Sequence, residues 1–235
     1  MDLLPRLRRG AAAGLTGGLL AGLFGFLLAE PVMDRAVRLE AAREAASGVH
    51  AVEVFSRSTQ HAGFVVATAV TGLALGVVVG VLSALLHRDD RRAWPHALEL
   101  AAGGFFGLTV VPFLRYPPNP PGVGDPATID QRTHLYLSCL VIGVVGVVLA
   151  GLVARNLAAW RPPHRQLAVV GILVATVALA FVLPADQDSL LVPAGLLWQF
   201  RVLSLATLAL LWGALGVTFG LLGDRVERRS ARAGC

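Results

Sequence analysis

Six blocks of apolar residues, each about 17 to 25 long, decide what this chain can become. They fall at about 10–29, 62–86, 97–114, 133–154, 167–183 and 199–222. Each is long enough to cross a hydrocarbon core about 30 Å thick. Inside that core the backbone finds no water, so a spanning segment must satisfy its own amides and carbonyls, and a helix does so within one segment. The expected fold is therefore an all-α integral membrane protein with about six transmembrane helices, forming a single membrane domain over residues 1–235. Composition agrees: 55% of residues are hydrophobic and 15% charged, against about 25% charged in a typical soluble domain.

The charges between the blocks set an expected orientation. All twenty basic residues are arginine. A chain without lysine lacks the phosphate-binding lysine of a P-loop ATPase. With the N-terminus in the cytoplasm, the inner segments carry Arg6, Arg8 and Arg9; Arg88, Arg91 and Arg92; Arg155, Arg161 and Arg165; and Arg225, Arg228, Arg229 and Arg232. Seven arginines remain for the outer side. That bias follows the positive-inside rule and places both termini in the cytoplasm of a cell whose inner (plasma) membrane holds the chain. Trp94, Tyr116, Tyr136, Trp160 and Trp198 sit near block ends, as an aromatic belt requires. Because the arginines cluster at helix ends, the net charge of +5 points to membrane lipid as the partner and not to nucleic acid. The first block resembles a signal peptide, but no A-x-A site follows it, so it is expected to stay as an anchor. Cys139 and Cys235 are too few and too far apart for a disulfide framework or a zinc site.

Glycines recur at four-residue spacing: Gly14, Gly18 and Gly22; Gly72, Gly76 and Gly80; Gly103 and Gly107; Gly216 and Gly220. In lipid, such spacing lets helix backbones approach closely. Static packing and helices that slide during transport both use it.

The polar chemistry lies in the outer loops, 30–61, 115–132 and 184–198. Residues 32–46 lack Gly and Pro and read as an external polar helix lying on the membrane surface. Glu30 and Asp34 are one helical turn apart, as are Glu40 and Glu44. His50, Glu53 and His61 follow. Carboxylates and imidazoles together suit a divalent first-row metal, so these seven residues are the candidate ligands; a solvated helix laced with ion pairs is the plainer reading. The second outer loop runs Phe113-Leu-Arg-Tyr-Pro-Pro-Asn-Pro-Pro-Gly-Val-Gly-Asp-Pro126. Its prolines exclude helix and paired strand and make a stiff extended segment. Arg115, Asn119, Asp125, Arg132 and Arg201 are the candidate clamp or gate, with Asp125, Asp130, Asp186 and Asp188 as acidic partners. No G-x-S-x-G, H-E-x-x-H or C-x-x-C sequence is present, so no enzyme activity is expected.

Several stretches together resemble the CbtA family of cobalt transporter subunits. They are Glu30-Pro31 with Asp34 and Glu40, Glu53-Val-Phe-Ser-Arg-Ser-Thr-Gln60, Val111 through Pro126 with Thr128, Arg132 and Tyr136, and Leu197-Trp-Gln-Phe-Arg-Val-Leu-Ser204. The resemblance implies cobalt uptake for cobalamin synthesis. It also implies a small companion membrane subunit, CbtB, with a histidine-rich terminus. Co²⁺ then enters as the transported ion, with no resident cofactor. The spans offer only scattered hydroxyls and Cys139, with no mid-membrane acidic pair, which favours a subunit that works with others or as an oligomer. A non-transporting scaffold that binds a partner protein through its outer loops is the alternative.

Overall fold

A computed structural model describes residues 3–48, 55–86, 93–121, 123–124, 126–185 and 192–233. Among these residues are six helices long and apolar enough to cross a membrane, and no strand. We number them α1 (Leu3–Ser47), α2 (Arg57–Leu86), α3 (Ala93–Arg115), α4 (Ile129–Asn156), α5 (Pro162–Ala180) and α6 (Ala194–Ala233). Each contains or largely overlaps one of the six apolar blocks.

Two of these helices run through a proline. Proline has no N–H, and its ring crowds the carbonyl four residues back, which ordinarily kinks or breaks a helix. Here a π-turn lies immediately before each one: Gly25–Ala29 ahead of Pro31 in α1, and Phe106–Val110 ahead of Pro112 in α3. In these turns Glu30 N–H reaches the Gly25 carbonyl and Val111 N–H reaches that of Phe106, five residues back. The widened turn makes room for the ring and the helix continues. This changes the expected layout of the first outer loop. Residues 30–47 are helical, and Ala29 and Glu30 both keep right-handed helical backbone angles, so the helical backbone is unbroken there. The segment continues the first helix, so that one helical stretch runs from Leu3 to Ser47. It ends at Gly48, whose φ of 70° gives the left-handed cap that favours glycine.

The chain divides into two compact units, residues 1–102 with 198–235, and residues 103–197. In the first, α1 and α2 lie antiparallel along a ladder of glycines. A methyl group added to Gly14 would lie 2.8 Å from the Cα of Gly76, and one added to Gly72 would lie 2.7 Å from the Cα of Gly18. The neighbour in each case is backbone, which cannot swing aside. On another side α1 meets α6, where Gly17 faces the backbone of Leu211 and Leu215. The large side chains of α1 point the other way: Leu15, Leu19, Leu20 and Leu23 are exposed while Gly10, Gly14, Gly18 and Gly22 are buried. Small residues inside and leucines outside invert the pattern of a water-soluble protein and suit a lipid surround.

In the second unit the same device recurs on a smaller scale. Gly107 of α3 meets Gly143 of α4, and Gly146 of α4 meets the Thr176 side chain of α5. Val111, Cys139 and Ala180 form a small core with Phe106, Tyr116, Ile142, Val177 and Leu183 packed on it.

The ladder predicts a sharp asymmetry between faces of α1. Gly18→Leu and Gly76→Leu should each destabilise the protein by at least about 3 kcal/mol, the upper part of the overpacking range, because backbone cannot yield. Leu19→Ile on the outward face should leave thermal unfolding in detergent almost unchanged. Normal melting of both glycine variants would show that these helices are not held by close backbone approach.

Candidate metal centre

The glycine ladder fixes which outer residues of α1 and α2 can meet. Gly14 lies by Gly72 and Gly76, Gly18 by Thr68 and Ala69, Gly22 by Val65 and Thr68, and Gly25 by Phe64. Each step up α1 is an equal step down α2. Continued outward, the register brings Phe26 to His61 and Glu30 to Arg57 and His61. Glu30 and Asp34 occupy one face of α1 at one-turn spacing; Arg57 and His61 do the same on the first turns of α2.

The four side chains converge on one point. His61 Nε2 lies 3.0 Å from Glu30 Oε2 and 3.4 Å from Asp34 Oδ1. One ligand atom from each of Glu30, Asp34 and His61 falls within 4.8 Å of the others. Arg57 Nη2 donates to Glu30 Oε2 at 2.9 Å and to Asp34 Oδ1 at 2.5 Å, and lies 3.1 Å from His61 Nε2. Its Nε also donates to Asp34 Oδ1, at 3.0 Å, and its Nη1 to Gln60 Oε1. One ring nitrogen cannot serve both its neighbours alike. As a neutral imidazole with its proton on Nδ1, His61 offers the Nε2 lone pair to Arg57; once protonated, it donates to Glu30 instead.

Burial grades the site from floor to rim. The Glu30 side chain is 10% exposed, whereas Arg57, His61 and Asp34 are 27 to 30% exposed. The floor is apolar: Phe26 meets the His61 ring edge-on at 5.9 Å, and the Phe64 ring lies against Gly25. A carboxylate as buried as that of Glu30 needs a cation beside it. The Arg57 hydrogen bond holds the Asp34 carboxyl below the usual carboxylate range, against a smaller opposing effect of burial.

Of the seven ligands expected from sequence, the structure brings together Glu30, Asp34 and His61. Glu40 and Glu44 lie farther out on α1, about 9 and 15 Å of helical rise beyond Asp34, too far to share its ion. His50 and Glu53 fall outside the described residues. Arg57 was not among the expected site residues. Its signal was present in the sequence: it stands one helical turn before His61, as Glu30 stands one turn before Asp34.

The other expected cluster falls only partly within the described residues. Arg115 donates to the Leu183 carbonyl, and its guanidinium lies over the rings of Tyr116 at 5.2 Å and Phe181 at 5.6 Å. Tyr116 Oη donates to the Pro184 carbonyl at 2.7 Å. Arg115 thus ties the end of α3 to the segment after α5 through backbone and aromatic rings. Asn119 and Arg132 line a small cavity with Tyr116, Pro117, Val123 and Tyr136. Asp125, Asp186 and Asp188 lie outside the described residues, and Arg201 belongs to the other unit, on α6.

A membrane protein with an O,O,N group of potential ligands invites comparison with metal carriers. The sequence profile of the family described as "Probable cobalt transporter subunit (CbtA)" matches residues 6–224. The chain belongs to the CbtA family. The match takes in all six helices and every residue of the centre. No curated protein and no solved structure matches the chain. Membership makes the chain a subunit of a cobalt transporter family, and a subunit works beside a partner in a membrane complex.

Asp34 gives the centre a pH signature. A carboxyl depressed in the folded state contributes stability that is present above its unfolded value, about 3.9, and is lost as pH falls through the folded value. Asp34→Asn should therefore melt below the parent at pH 7 in detergent, and the gap should close as the pH falls below about 4. Equal melting at pH 7, or a gap that persists undiminished at pH 3, would show that the Arg57–Asp34 pair does not stabilise the fold.

Proposed function

We propose that the chain captures Co²⁺, or a similar divalent first-row cation, at the outer face of the inner membrane and passes it to a path shared with a companion subunit. The convergence of Glu30 Oε2, Asp34 Oδ1 and His61 Nε2 carries this reading. On an octahedron with bonds of about 2.1 Å, neighbouring ligand atoms lie about 3 Å apart. The separations of 3.0 and 3.4 Å from His61 Nε2 need only small adjustment to meet that requirement. Two carboxylates and one imidazole suit Co²⁺ and also accept Ni²⁺ or Zn²⁺, since donor type alone selects weakly. The arginine bias puts this end of α1 and α2 outside and both termini in the cytoplasm.

The spans themselves supply little for an ion to follow. Thr68, Ser138, Thr176 and Thr207 each donate their hydroxyl to a carbonyl three or four residues back on their own helix. Capture at the surface followed by hand-over fits this arrangement, and it assigns the rest of the path to a partner such as the histidine-rich CbtB-like subunit. Delivery of cobalt for cobalamin synthesis is the process this serves. Histidine binds metal only as the neutral imidazole.

Cobalt accumulation in cells expressing the chain with its companion tests the proposal. At matched membrane levels, Glu30→Gln, Asp34→Asn and His61→Ala should each lower uptake at least about tenfold, the order expected when a metal site loses a needed group. Glu40→Gln and Glu44→Gln should leave it near the parent value. Unchanged uptake in the first three would move the site elsewhere and favour a scaffold that binds a partner protein.

A further inference from the structure

We propose that Arg57 is a built-in competitor for the ion, a tethered cation that fills the metal position and must leave when a divalent ion enters. This rests on the metal reading of Glu30, Asp34 and His61. The observation behind it is that a single nitrogen, Arg57 Nη2, touches the same three atoms that converge as ligands, at 2.9, 2.5 and 3.1 Å. An ion bonded to those atoms would occupy the place of that nitrogen. The two cannot be present together, by volume and by mutual repulsion.

The exchange has a charge logic. Glu30 and Asp34 carry two negative charges, and Arg57 returns one. A divalent ion neutralises the pair fully, whereas a monovalent ion replaces Arg57 charge for charge and gains nothing. The arginine therefore discriminates in favour of divalent ions without touching them. It also keeps the ligands close together while no ion is bound, because its fork already draws both carboxylates inward.

Arg57 is placed to move. It is the first residue of α2, its side chain is 27% exposed, and it has a second hold on Gln60 Oε1 toward the surface. The backbone behind it does not depend on the ion pair: Gln60 N–H bonds the Ser56 carbonyl at 3.0 Å, and Thr59 N–H bonds the Ser56 hydroxyl at 3.3 Å. The guanidinium can leave while the first turn of α2 stays formed. Its return then expels the ion, so the site binds loosely enough to hand metal on. In such an exchange the apparent affinity falls in proportion to the open fraction of the site.

Titration of the purified full-length protein with CoCl₂, followed by calorimetry, separates the possibilities. Arg57→Gln removes the competitor and should bind Co²⁺ at least about tenfold more tightly than the parent, as expected if the open fraction is one tenth or less. Arg57→Lys, which keeps the charge, should stay closer to the parent, and Glu30→Gln should lose binding. Equal or weaker binding by Arg57→Gln, with binding still lost in Glu30→Gln, overturns the competitor role and leaves the metal site standing. Absence of binding in both parent and Arg57→Gln overturns the metal site itself and the competitor with it. A second measurement needs no variant at Arg57. Phenylglyoxal modification of Arg57, read by peptide mass, should quicken when CoCl₂ is added and not with NaCl at equal ionic strength. A rate that Co²⁺ leaves unchanged or slows contradicts displacement.

Discussion

The close approach of two helix backbones at a ladder of glycines is what the rest of this structure depends on. In lipid the hydrophobic effect does not press helices together, so α1 and α2 associate through packing that only small residues allow. Gly14 and Gly18 on one side and Gly72 and Gly76 on the other leave no room for a side chain. That contact also fixes register. Because the ladder steps evenly along both helices, the polar residues just beyond its outer end have no freedom in choosing partners. Glu30 meets Arg57 and His61 because Gly22 meets Val65 and Thr68 below them.

The π-turns matter for the same reason. Pro31 lies directly after Glu30, where a broken helix would have released the carboxylate into a loop. The wide turn at Gly25–Ala29 absorbs the proline and keeps Glu30 and Asp34 on a rigid helix that continues to Ser47. A cluster of polar side chains built on two helices is held more firmly than one built on a loop. Its floor is shielded by Phe26 and Phe64 and its rim is partly exposed, so the charge is concentrated at the accessible side of the cluster.

Much of this was legible in the sequence. The six spans follow from block length, and the glycine spacing announced the tight interfaces. Glu30, Asp34 and His61 were recognisable as ligand types. What the sequence did not reveal was which of seven candidates meet, because that depends on a register between helices separated by an outer loop. Glu40 and Glu44 look identical to Glu30 and Asp34 as a spaced pair, and only their distance along α1 excludes them. The helix over 32–46 was legible, but its continuity with the first span was not, because Pro31 suggests a break and the π-turn that bridges it has no obvious sequence mark. Arg57 has no lone pair to offer a metal, so its residue type alone does not mark it as part of the cluster it holds together.

The account stands on one claim, that Glu30, Asp34 and His61 share a single divalent ion. X-ray absorption at the cobalt edge of the Co²⁺-loaded protein tests it most directly. It should show a shell of oxygen and nitrogen atoms at about 2.1 Å with the outer scattering of one imidazole, and that scattering should vanish in His61→Ala. A shell with no imidazole in the parent, or one that His61→Ala leaves unchanged, would contradict the account.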